Sequence, residues 1–118
     1  MDNQRPLTRG GVYLARLDPA RGAEVGKLRP VVILTAQALL HVDPPVVFIC
    51  PLSSQSDPAF EPLHLAVSAR DGLRQRSYAL VEHCRAISRQ RIRSDRLAML
   101  TPDETDQILH RLQRLTER

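Results

Sequence analysis

Arginine is the residue type in this chain with the most chemistry to offer. Sixteen of the 17 basic residues are arginines, and eight of them fall between Arg70 and Arg96, where only Asp71, Glu82 and Asp95 oppose them. Guanidinium groups present planar, paired donors matched to phosphate oxygens, and a formal net charge of +4 favours polyanionic partners. The pattern points to a nucleic-acid-facing surface; the plainer alternative is a solvated face in a chain that uses arginine where others use lysine. The aromatic side chains are Tyr13, Phe48, Phe60 and Tyr78, too few for base stacking to dominate affinity, so phosphate contact and shape must carry more. Cys50 and Cys84 lie in apolar, strand-like runs and do not make a disulfide framework, so both are expected as buried thiols. His41, His64, His83 and His110 are scattered without the close spacing of a zinc site, and neither a metal nor another cofactor is expected.

The elements that must position these groups can be read from breakers and periodicity. A chain of 118 residues, 42% hydrophobic and 25% charged, is expected to form one domain over residues 1–118 with a core of its own. No run approaches the roughly 20 apolar residues of a membrane span. Met1–Gly11 is polar and lacks the apolar stretch of a signal peptide, so a cytoplasmic location is expected. Strands are expected at Gly11–Leu17, ended by Asp18-Pro19, and at Pro30–Thr35. A third, Val46–Leu52, is closed by the polar turn Ser53–Pro58, and Leu63–Val67 alternates as a half-buried strand before a turn at Asp71-Gly72. Tyr78–Ile87 reads as one longer strand, with a helical reading of its second half left open, and Ser94–Leu100 as a short helical or extended piece. Thr101-Pro102-Asp103-Glu104 is a capping-box arrangement, and Ile108, Leu109, Leu112 and Leu115 repeat at helical spacing, which predicts a helix from about Pro102 to Glu117. Many short strands and one terminal helix predict a mainly β (α+β) fold, a small, partly closed antiparallel β-barrel, with the leucine stripe on its own core or on a second subunit.

The string Gly11-Val-Tyr-Leu-Ala-Arg-Leu-Asp-Pro19, then Gly22, Glu24, Gly26, Lys27, Arg29 and Pro30 followed by Val-Val-Ile-Leu-Thr35, closely resembles the MazF/PemK family of toxin endoribonucleases. The likeness continues through Pro51-Leu-Ser-Ser-Gln55 and Tyr78-Ala-Leu-Val-Glu-His-Cys-Arg-Ala-Ile87 and covers roughly residues 8–115. It implies an SH3-like barrel with a C-terminal helix, a homodimer, metal-independent cleavage of single-stranded RNA, and neutralisation by a cognate MazE/PemI-like antitoxin.

Metal-free RNA cleavage needs the 2′-hydroxyl as nucleophile, a group to take its proton, charge stabilisation on the phosphorane and a donor to the leaving 5′-oxygen. The resemblance assigns catalysis to Arg29, Ser53 and Glu24. Arg29 suits transition-state stabilisation, since a guanidinium keeps its proton at neutral pH; the bland alternative is an ion pair with Glu24 or a strand end. Ser53 stands where the family usually has threonine, keeping the hydroxyl and losing the β-branch that fixes its rotamer, and a plain turn role is its alternative. Glu24 would orient Arg29 or bind RNA. Glu82 matches a general-base position of some relatives, with a strand glutamate satisfied by a nearby arginine as the favoured plain alternative. His83 stands where many carry glutamine and could assist proton transfer, with a histidine hydrogen-bonded at a surface or interface as its plainer alternative. Lys27, Ser54 and Gln55, on the loops Asp18–Leu28 and Ser53–Pro62, and Arg70, Arg76 and Arg85 are the candidate RNA-binding residues.

Two other readings stay open. One is a toxin on the same barrel that binds DNA gyrase; such relatives use aromatic and small residues at the extreme C-terminus, unlike Leu115-Thr-Glu-Arg118. The other is an inactive member that binds only RNA or antitoxin, which the Ser53 replacement allows.

Overall fold

The structure, a computed structural model, describes residues 6–19, 21–24 and 26–117. The first five residues of the polar N-terminal stretch and the terminal arginine lie outside the described residues. Among the described residues seven strands run β1 (Gly11–Arg16), β2 (Leu28–Ile33), β3 (Val46–Ser53), β4 (Leu65–Val67), β5 (Ser77–Ala79), β6 (Arg85–Ser88) and β7 (Ile92–Met99). A single-turn helix, α1 (Gln37–Leu40), joins β2 to β3, and α2 (Pro102–Thr116) closes the chain. The antiparallel order is β4-β5-β3-β2-β1-β7, with β6 also on β3. Among the described residues no ladder joins β7 back to β4, so the sheet is curled but open, and the expected barrel holds only in its loose, partly closed sense.

Alternation along the strands divides the core between the two faces of the sheet. On one face Val12, Val32, Cys50 and Leu52 meet Val67, Leu100 and, from α2, Ile108. On the other, Tyr13, Ala15, Leu17, Val31, Ile33, Ile49 and Ile87 form a second cluster. The capping box forms as the sequence predicts, with Thr101 Oγ1 accepting the Glu104 N–H and Glu104 Oε1 accepting the Thr101 N–H. Ile108 is buried and Leu109 and Leu112 rest on the first cluster, whereas Leu115 is 40% exposed, so most of the helical stripe covers its own core.

The central strand β3 is the one that matters for the site. On one edge Ile49–Pro51 pair with β2, and the other edge is shared: Val46–Ile49 pair with β6, and Leu52 and Ser53 pair with β5. The long strand expected at Tyr78–Ile87 is therefore broken. A 3-10 turn at Val81–His83 separates β5 from β6, because the chain must leave one end of β3 and return to the other. The fork sits at Cys50-Pro51: Pro51 has no N–H to give a ladder, and its carbonyl accepts the Leu80 N–H at 2.9 Å. Elsewhere the differences are smaller. The fourth strand shortens to Leu65–Val67 behind a 3-10 turn at Pro58–Leu63, and Ser94–Leu100 resolves into β7.

Candidate active site

Two clefts flank the end of β3, and consecutive residues of that strand divide them. Pro51 lines the first, a space of about 260 Å³, together with Glu24, Glu82, His83, Cys84 and Arg85. Leu52 and Ser53 line the second, of about 600 Å³, with Lys27, Arg29, Ser54, Arg74 and Gln75 among its other walls. Of the residues singled out by sequence, Glu24, Lys27, Arg29, Ser53, Ser54, Glu82, His83 and Arg85 line these clefts, whereas Gln55, Arg70 and Arg76 line neither.

Register explains how Arg29 and Ser53 come together. Val31 pairs with Pro51 and Ile33 with Ile49; the same offset carried two residues past the end of that ladder runs from Arg29 to Ser53, and both line the second cleft. Opposed residues of an antiparallel pair share a face, so Arg29 and Ser53 carry the parity of Val31 and Pro51. Tyr78 sits across Ser53 on the other side, with the Arg76 guanidinium 5.8 Å from its ring centroid, a cation–π arrangement. Arg29 donates from Nε to the Gly26 carbonyl at 2.9 Å, which anchors the root of the guanidinium. Its terminal N–H groups have no partner among the described residues.

Ser53 Oγ accepts the Gln55 N–H at 3.1 Å, the serine turn that its type allows, and the hydroxyl hydrogen remains available to a ligand. Lys27 adopts a left-handed backbone, φ 67°, closing the β1–β2 connection through its N–H on Asp18 Oδ1 and its carbonyl on the Leu17 N–H. A Gly72 side chain would come within 2.9 Å of the Leu97 carbonyl, which keeps the Asp71-Gly72 turn tight against β7 beside the second cleft.

Several expectations need correction. No ion pair joins Glu24 to Arg29 among the described residues; Glu24 Oε1 instead accepts the Arg21 N–H at 2.7 Å. Arg70 lies in neither cleft. Its guanidinium is committed to the start of α2, forked onto Glu104 at 2.5 and 2.8 Å and donating also to the Ser68 and Met99 carbonyls. That contact holds the Glu104 carboxyl below its ordinary range, Arg70 being the largest cause, and raises the Arg70 value further. Cys50 is buried, and that burial, with the Cys84 thiol beside it, pushes its pKa well up; Cys84 itself is half-buried in the wall of the first cleft. Arg85 reaches the first cleft from β6, opposite Ile49, and Arg76 and Gln55 are exposed.

The largest omission of the sequence reading is His64. It is buried, with Nδ1 2.6 Å from Ser56 Oγ and Nε2 2.8 Å from both oxygens of Glu82. His83 Nε2 stands 3.9 Å from the same carboxylate. Partners eight and eighteen residues away leave no local spacing to read; the only hint is a polar residue, Glu82 or His64, set inside an otherwise apolar run.

A family model described as PemK-like, MazF-like toxin of type II toxin-antitoxin system matches residues 8–116. The chain belongs to this toxin family. Among relatives, Endoribonuclease EndoA of Bacillus subtilis (strain 168) is 31% identical over 108 residues, 91% of either chain. The crystal structure of MazF (Form-I) from Deinococcus radiodurans matches at a TM-score of 0.76 and 24% identity over 97% of both chains. A MazE-MazF complex (Form-III) from the same organism matches at 0.72 and 22% identity, covering 94% of this chain and 96% of that one. These structures establish the MazF fold for the chain, and the family match spans every candidate residue from Glu24 to Arg85.

Proposed function

We propose that this MazF/PemK-type toxin is a metal-independent, sequence-specific endoribonuclease. It cleaves single-stranded RNA by attack of the 2′-oxygen on the adjacent phosphorus, leaving 2′,3′-cyclic phosphate and 5′-hydroxyl ends. The observation that carries the reading is that Arg29 and Ser53 line one cleft at the end of β3 while Glu24, Glu82 and His83 line the cleft on the other side of that strand end. The kinship with an endoribonuclease supports it.

In this reading the scissile phosphate lies at the end of β3. The terminal N–H groups of Arg29 and the hydroxyl of Ser53 donate to its non-bridging oxygens, and both gain strength as charge builds on the phosphorane. Glu82 accepts the 2′-hydroxyl proton, and His83, on the same short turn, is the candidate donor to the leaving 5′-oxygen. Glu24, Lys27, Ser54 and Gln55 line the path of flanking nucleotides, with Arg76 and Arg85 on its phosphates. Single strands are required because the bases must splay for edge readout and the backbone must bring attacking and leaving oxygens into line. A homodimer would extend the basic surface, and a MazE/PemI-like antitoxin with acidic residues would close it.

The test is single-turnover cleavage by Arg29→Ala and Arg29→Lys. Loss of one preorganised donor at a developing oxyanion costs about 10²–10³ in rate, so Arg29→Ala should fall by that much while RNA binding changes little, and Arg29→Lys, without the fork, should recover only part. An Arg29→Ala protein that cleaves at the wild-type rate contradicts the assignment.

A further inference from the structure

We propose that His64 is the positioning residue of this site, holding the Glu82 carboxylate in place and tying it to the loop that follows β3. The inference rests on the endoribonuclease reading above. Its side chain is 1% exposed, and Glu82, 11% exposed, stands at the wall of the first cleft. The imidazole Nε2 lies 2.8 Å from each carboxylate oxygen, so one N–H straddles the pair and leaves the outer lone pairs turned away from it.

The hydrogen-bond chemistry fixes the ring. An ionised carboxylate only accepts, so Nε2 must carry hydrogen; Nδ1 faces a hydroxyl, which can donate to a neutral ring or accept from a charged one. The Ser56 hydroxyl at 2.6 Å therefore satisfies the imidazole in either protonation state. Flipping the ring would replace both nitrogens by carbons, and no other orientation keeps both contacts. Three segments meet in this one side chain: the loop after β3 through Ser56, the entry to β4 through His64, and the 3-10 turn between β5 and β6 through Glu82. Of these, the 3-10 turn carries the cleft residues Glu82 and His83, and the loop after β3 runs on from Ser54 of the second cleft.

Stability alone does not account for such a unit. Burying a polar pair is at best near neutral against an apolar replacement of the same size, whereas removing one partner strands the other. A base that must meet a 2′-hydroxyl within a few tenths of an ångström does need this constraint, because a glutamate on a three-residue turn has freely rotating torsions otherwise. His64 touches no substrate in this account; it acts through Glu82.

The experiment is a double-mutant cycle between His64 and Glu82, read by single-turnover cleavage of an RNA the wild type cuts and by binding of the same RNA carrying a 2′-deoxy residue at the cut site. Glu82→Gln should slow cleavage by about 10²-fold or more. His64→Ala should slow it at least about tenfold while deoxy-RNA affinity changes less than about threefold, and in the Glu82→Gln background His64→Ala should cost almost nothing more. His64→Gln, whose amide keeps a donor toward Glu82, should recover much of the loss and serves if the alanine variant does not fold. Multiplicative losses, a loss confined to binding, or a glutamine variant no better than alanine would overturn the positioning role. A wild type that cuts no RNA overturns the endoribonuclease reading, and the positioning role with it. A His64→Ala protein that cuts as well as wild type overturns the positioning role alone.

Discussion

Ser53 tests the account at the smallest scale. Its hydroxyl already accepts the Gln55 N–H, so the turn and the proposed donation to phosphate use different sides of one oxygen. Ser53→Ala should lower single-turnover cleavage by about tenfold, the order of one lost hydrogen bond to a charged group, and Ser53→Thr should match or exceed the wild type because its β-branch restricts χ1. Equal rates for all three proteins would remove the hydroxyl from the chemistry. Arginines separate by the same logic. Arg85, in the first cleft, should flatten the log-log salt dependence of RNA binding by about 0.7 when changed to alanine, the value for one phosphate contact on a single strand. Arg70→Ala should leave that slope unchanged, since its guanidinium is spent on Glu104; a slope that falls with Arg70→Ala would put it back in the groove. Sequence alone could not make this distinction, because Arg70 and Arg85 lie in one basic run and differ only in what the fold brings opposite them.

At the scale of elements, α2 shows why some segments are legible from sequence. Thr101, Pro102 and Glu104 act within one turn, so the cap follows from local chemistry, and Thr101→Ala should cost about 1 kcal/mol by urea unfolding. The Arg70–Glu104 contact adds a pH signature. Glu104 titrates lower in the folded protein than in the unfolded chain, so its contribution is present above the ordinary carboxylate range and is lost as pH falls through the folded-state value. The stability gap between wild type and Arg70→Ala, about 1 kcal/mol for a largely solvent-screened pair, should therefore be full at neutral pH and close in acid. A gap independent of pH would assign it to packing. The Tyr78–Ile87 segment is the opposite case. Neither glycine nor proline occurs in Leu80-Val81-Glu82-His83-Cys84 to mark where the strand breaks, and the helical reading left open for the second half fixes no boundary; the break is imposed by β3, whose edge must serve two partners. Arg29 and Ser53 were legible as the residues flanking two β-branched runs, one before Pro30–Thr35 and one after Val46–Leu52, although the structure draws both inside β2 and β3, whereas the His64 unit depends on three segments meeting and was not legible.

For the whole molecule, the net charge of +4 and the arginines around the clefts make the proposed RNA surface a target for an acidic partner. A cognate antitoxin segment rich in Asp and Glu should compete with RNA, raising its apparent Kd in proportion to antitoxin concentration; simultaneous binding without mutual weakening would rule out occlusion of the groove. No helix among the described residues is long and apolar enough to cross a membrane. The central claim concerns the reaction, and one measurement reaches it most directly: incubation of the purified protein with mixed-sequence single-stranded RNA in EDTA, beside the all-deoxy version and the Arg29→Ala protein, followed by end-group analysis. The account predicts fragments from RNA only, ending in 2′,3′-cyclic phosphate and beginning with 5′-hydroxyl, at a recurring short word, and lost in the variant. Cleavage of the deoxy strand, ends bearing 5′-phosphate, or RNA left intact across many sequences would contradict it.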